Sequence, residues 1–323
     1  MRHKLRTTEL FAGAGIFGCA FKASGFELTR AIELEKTAAD TYAQNLGDHI
    51  EQADVTKCDP SGRCELIIAG PPCQGYSSLG KRDKDDPRNS LSLEVVRFAR
   101  IQKPKVVVIE NVARFLESEQ ATKIARSFKR LGYEVETYRL DAFEYGVPQR
   151  RVRAILVASK IGMPKIYKPR KKVSTVRAAW RGLPKKPNGR NLHDHREPSE
   201  LALERMKCIP TGGDKRDILE LRPDLSPPSW ETTTSEVTDV WGRMVWNEPS
   251  NTLRTCFLNP SKGRYIHPDQ NRVITLREGA RLHSVPDEYE FAGTPYQIAR
   301  QIGNSVPYLL GKCIARGVRR LFA

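Results

Sequence analysis

At 323 residues the chain is long enough to bury a large core, as one big domain or as a big one joined to a small one. Lys plus Arg number 54 against 38 Asp plus Glu, a formal net charge of +16 that points to a polyanionic partner, most simply nucleic acid. No apolar run is long enough for a membrane span, Met1-Arg2-His3-Lys4 leads into Thr7-Thr8-Glu9-Leu10-Phe11 without the apolar core of an export signal, and seven cysteines with no C-x-x-C pair suggest neither a disulfide framework nor a metal site. A reducing, cytoplasmic setting is expected.

Leu10-Phe11-Ala12-Gly13-Ala14-Gly15-Ile16-Phe17-Gly18 reads as a strand end, a tight glycine turn and a helix start, which brings backbone N–H groups against a ligand. Packing alone also explains such glycines. The next strand, around Thr29 to Glu33, ends in an acid about twenty residues on, where Rossmann-type domains place a carboxylate on ribose hydroxyls. Glu33 is the expected ribose ligand, with Glu35 as competitor. A helix over Lys36 to Leu46 follows, then Asp54, which either accepts from an adenine amino group or sits in a solvated turn.

Leu66-Ile67-Ile68-Ala69 is a short buried strand that Gly70-Pro71-Pro72 forbids from continuing, so Cys73 sits on a stiff loop at the strand's carboxyl end. In open α/β sheets that edge binds ligands. A cysteine acts as a nucleophile as thiolate, which needs nearby positive charge, and Arg150, Arg151 and Arg153 can supply it. The polar stretch Gly80 to Asn89 reads as a mobile lid or as plain surface. Leu91 to Ile101 has helical spacing and leads to Lys105-Val106-Val107-Val108-Ile109-Glu110-Asn111-Val112, a continuous apolar strand ending in a carboxylate on the same edge as Cys73. Desolvation there raises a carboxyl pKa and suits Glu110 to proton donation; a helix cap is the ordinary alternative.

Tyr133 to Leu140 and Val152 to Ala158 read as two more strands, and between them Gln149-Arg150-Arg151-Val152-Arg153 puts Arg151 and Arg153 on one face. From Tyr145 to His193 there are fourteen Lys plus Arg and no acid, a composition shift that marks a domain boundary and reads as a phosphate-contacting surface. The region Lys165 to about Trp246 also carries all four tryptophans, Trp180, Trp230, Trp241 and Trp246, which are expected mostly in a small core. Thr275-Leu276-Arg277-Glu278 and Thr294-Pro295-Tyr296-Gln297 are capping boxes that announce helices. A last amphipathic helix carries Val306, Leu309, Leu310, Cys313, Ile314, Val318 and Leu321, with Asn304 or Ser305 as its cap or as ligand groups.

In order and spacing these pieces resemble a DNA (cytosine-5) methyltransferase of the compact bacterial, restriction-modification type: Phe11-Ala12-Gly13-Ala14-Gly15, Pro71-Pro72-Cys73-Gln74, Glu110-Asn111-Val112, Gln149-Arg150-Arg151-Val152-Arg153, Arg277-Glu278-Gly279-Ala280-Arg281-Leu282 and Gln301-Ile302-Gly303-Asn304-Ser305-Val306-Pro307. The resemblance implies an α/β, Rossmann-like S-adenosylmethionine-dependent methyltransferase domain over 1–164 and 247–323, and a smaller target-recognition domain over 165–246. It implies Cys73 as nucleophile, Glu110 as acid, Arg153 as the group that holds the base's carbonyl oxygen and favours the thiolate, Arg151 as the residue that orders the loop, and Phe11, Gly13, Gly15, Glu33, Asp54, Pro72, Asn304 and Ser305 around the cofactor. Double-stranded DNA is the expected partner, with a restriction endonuclease as a further one, no metal, and a monomeric state. Ile16, His283 and Val285 depart from the usual family pattern at positions expected to lie away from the reacting atoms. Two rivals share the fold: a tRNA cytosine-5 methyltransferase, whose typical Cys-Phe-Thr tripeptide is absent, and a non-catalytic DNA-binding regulator, which would need none of Cys73, Glu110 and Arg153.

Overall fold

The computed structural model describes residues 5–72, 91–170, 175–230 and 239–323. Among these, one sheet of seven strands organises the molecule: β1 (Arg6–Leu10), β2 (Glu27–Glu33), β3 (Ile50–Gln52), β4 (Leu66–Ala69), β5 (Val106–Val112), β6 (Glu134–Asp141) and β7 (Val152–Ser159), in the order β3-β2-β1-β4-β5-β7-β6. β7 alone is reversed, antiparallel to both β5 and β6. The chain winds outward from β1 to β3, then returns to start again at β4. The switch point therefore falls between Leu10 and Ala69, which are paired in register, and the carboxyl ends of β1 and β4 there mark the edge at which open α/β sheets bind ligands.

The apolar runs of β4 and β5 follow from burial on both faces. Ile68, Val106 and Val108 meet Phe17 and Phe21 of α1 (Ile16–Lys22) and Leu310, Ile314 and Val318 of α10 (Tyr308–Arg319). On the opposite face Ile67, Val107 and Ile109 meet Val95 and Phe98 of α3 (Glu94–Gln102) and Ile124 and Phe128 of α4 (Glu119–Arg130). Side-chain alternation along each strand divides the two cores. α2 spans Lys36–Leu46, as expected, and both capping boxes form, at the starts of α8 (Leu276–Leu282) and α9 (Pro295–Asn304). The cap expected for the last helix does not: Pro307 begins α10 with its own restricted φ, while Ser305 closes α9, its hydroxyl donating to the Ile302 carbonyl.

A smaller core gathers Met206 of α6 (Glu200–Lys207), Ile218 of α7 (Lys215–Leu221), Ile209, Trp241 and Ile266, with Trp230 and Val273 packed against it. Trp180, beside the short α5 (Val176–Ala179), instead joins the core of α8 and α9 and donates its indole N–H to the Glu278 carbonyl. Within the acid-free basic run, Lys165 and Pro164 lie against Gly317 of α10, so this part follows the back of the sheet before the chain reaches the smaller core. No helix among the described residues is long and apolar enough to cross a membrane.

Candidate active site

β1 ends at Leu10 and the backbone at once turns left-handed, with φ +55° at Phe11, +55° at Gly13 and +78° at Gly15. Phe11 is a non-glycine residue in this region, held there by its surroundings at a cost of roughly 1–2 kcal/mol. Gly13 donates its N–H to Glu33 Oε2 at 2.8 Å, and Glu35 donates to the other oxygen at 2.9 Å, so the acid ending β2 clasps the turn that ends β1. A Cβ on Gly13 would meet nothing within 4 Å, which leaves the space at the turn open to a ligand. A carboxylate offers about four acceptor sites, so Glu33 keeps capacity for a hydroxyl beyond these amides. Burial pushes the Glu33 pKa up against the pull of these amides.

Of the two competing acids, Glu35 is committed elsewhere: it N-caps α2 through Ala38 N–H and accepts from the Thr37 hydroxyl. Asp54 follows β3 and caps a short turn, one oxygen accepting from both the amide and the hydroxyl of Thr56, bonds that lower its pKa. An open shelf, a fixed carboxylate and a nearby second acid fit a nucleoside with a free ribose.

Across the switch point, Glu110 stands near the end of β5. The Arg153 Nε lies 3.0 Å from its Oε1, with side chains only 12% and 9% exposed. β7 runs antiparallel to β5, which brings Arg153 opposite Val112 and back over the carboxylate. Burial raises the Glu110 pKa, outweighing the opposing influence of Arg153 and then Arg151. The result is a carboxyl group biased towards its neutral form beside a fixed guanidinium: a proton donor next to an anion stabiliser. Asn111 Nδ2 donates to the Pro71 carbonyl at 3.2 Å, and a Cβ on Gly70 would lie 3.8 Å from Glu110 Oε2, so the Gly70-Pro71-Pro72 turn is pinned against this acid. Pro72 is the last described residue on that side. Cys73 and the stretch Gly80 to Asn89 lie outside the described residues.

Arg151 does something different from its neighbour. It is 2% exposed and donates to three carbonyls, of Leu253 at 2.9 Å, Gly303 at 2.6 Å and Ser305 at 3.3 Å. One guanidinium thus ties the arginine segment to the segment leaving the small core and to the turn between α9 and α10. Ser305 enters the site through its backbone, and Asn304 beside it is exposed. The Pro148–Arg151 segment is further stitched to Ser250–Leu253: Arg150 N–H donates to Ser250 O, Ser250 N–H to Pro148 O, the Thr252 hydroxyl to Arg150 O, and Leu253 N–H to Gln149 Oε1.

Sequence reasoning left two residues without a role. Glu9, in β1 directly beneath the glycine turn, is 2% exposed, accepts from Gly18 N–H at 3.0 Å, and has its pKa pushed up to about 8 by burial. An acid inside a strand otherwise buried was the available signal. His283 is fully buried, contacts Gln149 and feels both Arg151 and Arg153, so it stands nearer the site than expected.

The fold is that of a prophage-encoded protein of E. coli, which superposes with a TM-score of 0.76 at 23% identity and covers 99% of each chain. The chain is 34% identical to the Type II methyltransferase M1.HphI of Haemophilus parahaemolyticus, over 97% of this chain and 86% of that protein. It is 31% identical to the Type II methyltransferase M.DdeI of Desulfomicrobium norvegicum, over 97% and 88% respectively. The model of the C-5 cytosine-specific DNA methylase family matches residues 5–320. The chain belongs to that family: it is a DNA (cytosine-5) methyltransferase that draws its methyl group from S-adenosylmethionine.

Proposed function

We propose that the enzyme methylates a cytosine flipped out of double-stranded DNA, using Cys73 as nucleophile, Glu110 as acid and Arg153 as its charged partner. The observation that carries this reading is the buried Glu110–Arg153 pair at the end of β5, against the Gly70-Pro71-Pro72 turn that leads into Cys73. Carbon 5 of cytosine is a poor nucleophile. Addition of the Cys73 thiolate at carbon 6 pushes electron density towards it, and a proton held by neutral Glu110 at ring nitrogen 3 relieves the charge that develops. Arg153 holds the base's carbonyl oxygen and favours the thiolate. Arg151 acts through the backbone, ordering the segments around the site. S-adenosylmethionine, when bound, supplies an electrophilic methyl group to carbon 5. Loss of the carbon 5 proton to water and expulsion of Cys73 Sγ, with the ring nitrogen 3 proton returning to Glu110, then restore the aromatic ring.

For the cofactor, Phe11, Gly13 and Gly15 would form the shelf and Glu33 would take the ribose hydroxyls. Asp54 would accept from the adenine amino group, and Pro72, Asn304 and Ser305 would close the methionine side. The open space at Gly13 and the spare lone pairs of Glu33 support this assignment.

DNA is read, in this proposal, by the smaller unit over 165–246, helped by Ile266 and Val273 from beyond that range because they share its core. Extrusion of the base costs a few kcal/mol that contacts to the DNA must offset. The Type II names of the relatives suggest a restriction-modification setting, with an endonuclease acting on the same site, and we place the enzyme in the cytoplasm as a monomer. Labelled methyl incorporation into plasmid DNA and into tRNA tests the reading. Wild-type protein should label DNA and not tRNA, and Cys73→Ser should abolish labelling while retaining DNA and cofactor binding. Label in tRNA alone, or substantial methylation by Cys73→Ser, would defeat it.

A further inference from the structure

His283 closes α8 as its C-cap and is fully buried. Its Nδ1 lies 3.1 Å from the Nε2 of Gln149, itself fully buried. The same amide nitrogen donates to the Leu282 carbonyl at 3.1 Å, and the amide oxygen accepts from Leu253 N–H at 3.0 Å. An amide nitrogen brings two hydrogens and accepts nothing, so Nδ1 is the acceptor in this contact and the ring proton belongs on Nε2. That nitrogen has no hydrogen-bond partner among the described residues. Every hydrogen-bonding group of the Gln149 amide is thereby assigned: one hydrogen to Leu282, one to His283, and the oxygen to Leu253.

We propose that His283 is a positioning residue for methyl transfer: by accepting the second hydrogen of Gln149 it fixes the direction of that amide, and through Leu253 it sets where the arginine segment stands. The linkage is short. Leu253 takes the Gln149 oxygen at its N–H and gives its carbonyl to Arg151, whose next-but-one neighbour Arg153 rests on Glu110. Without an acceptor at position 283, a buried hydrogen is left unpaired, and the amide recovers a partner only by rotating away from Leu253. The inference rests on the roles proposed for Glu110 and Arg153.

Asparagine and leucine have nearly the same shape, but asparagine places an acceptor oxygen at the branch position that Nδ1 occupies. In single-turnover methyl transfer at saturating DNA and S-adenosylmethionine, His283→Leu should be slower by about tenfold, the scale of one unpaired buried group. His283→Asn should return to within about threefold of wild type, and Kd for DNA and for cofactor should be unchanged in both. His283→Ala provides a second acceptor-free variant, and thermal melts report folding. A folded Leu or Ala variant with the wild-type rate overturns the inference, as does an Asn variant as slow as Leu, or a loss confined to Kd. Failure of both acceptor-free variants to fold while the Asn variant works normally also overturns it, by assigning His283 to stability alone. Glu110→Gln, run alongside, separates the two readings: a normal rate there sinks the site assignment, whereas a slow rate there with a normal His283→Leu sinks only this inference.

Discussion

Glu110 and Arg153 meet at 3.0 Å in a nearly buried pair, yet burial keeps the carboxyl pKa raised rather than lowered. An acid beside a guanidinium would ordinarily be a committed carboxylate. Here desolvation wins, and the group can donate a proton. Glu110→Gln should therefore slow methyl transfer by about 10²-fold or more, the scale of general acid–base catalysis. The single-turnover rate is the check, and a near-normal value removes Glu110 from the chemistry.

Arg153 is the largest influence pulling the Glu110 pKa down. Arg153→Met should let that pKa rise further, so the carboxyl stays neutral to higher pH than in wild type. Titration followed by the carbonyl carbon shift of Glu110 reads this directly. A pKa that moves downward, or stays put, would mean the two groups are not coupled as their geometry demands.

Glu9 predicts a stability slope. Its folded pKa is pushed up to about 8 from 4.5, so the folded state keeps a proton that the unfolded chain has already lost. Its stabilising contribution is full below pH 4.5 and is lost as pH rises towards 8, at up to roughly 1.4 kcal/mol per pH unit. Glu9→Gln carries no such proton. Urea midpoints of the variant and wild type should lie closest at pH 4 and diverge in the variant's favour by pH 9; parallel profiles would contradict the buried acid.

Gly303 packs against backbone from both sides of a contact: a Cβ there would lie 2.7 Å from the carbonyl carbon and oxygen of Arg254 and from the Cα of Thr255. Backbone does not swing aside as a flexible side chain does. Gly303→Ala should cost about 1–3 kcal/mol and shift the carbonyl that Arg151 grips. Thermal melts and methyl-transfer rates together should both report it; an unaffected enzyme would show that this contact gives more easily than its geometry allows.

Arg243 is 4% exposed and donates to the carbonyls of Met206, Ile209, His267 and Gln270 and to Asn271 Oδ1. It joins the end of α6 to the 267–271 loop at the small core. Arg243→Met leaves several buried carbonyls unpaired and should weaken DNA binding by at least about tenfold, with cofactor binding intact. Calorimetry with each ligand separates the two. Equal loss of both would mean that this core is no separate recognition unit.

Much of the architecture was legible along the chain because its causes are local. Apolar runs at Leu66 and Val106, the α2 stretch and the two capping boxes depend on residues within a few positions of one another. The pairing of Glu110 with an arginine was also within reach, since both belong to strands whose ends could be read. What the linear order could not reveal is which groups meet across a hundred residues or more. Arg151 reads as a residue that orders a loop, but only packing gives it the carbonyls of Leu253 and Gly303 to do so, and His283 reads as a distant variation until folding sets it against Gln149. Hydrogen-bonding capacity is a property of the residue, but a partner is a property of the fold: only tertiary packing removes water from these groups and leaves each with the one acceptor or donor in reach.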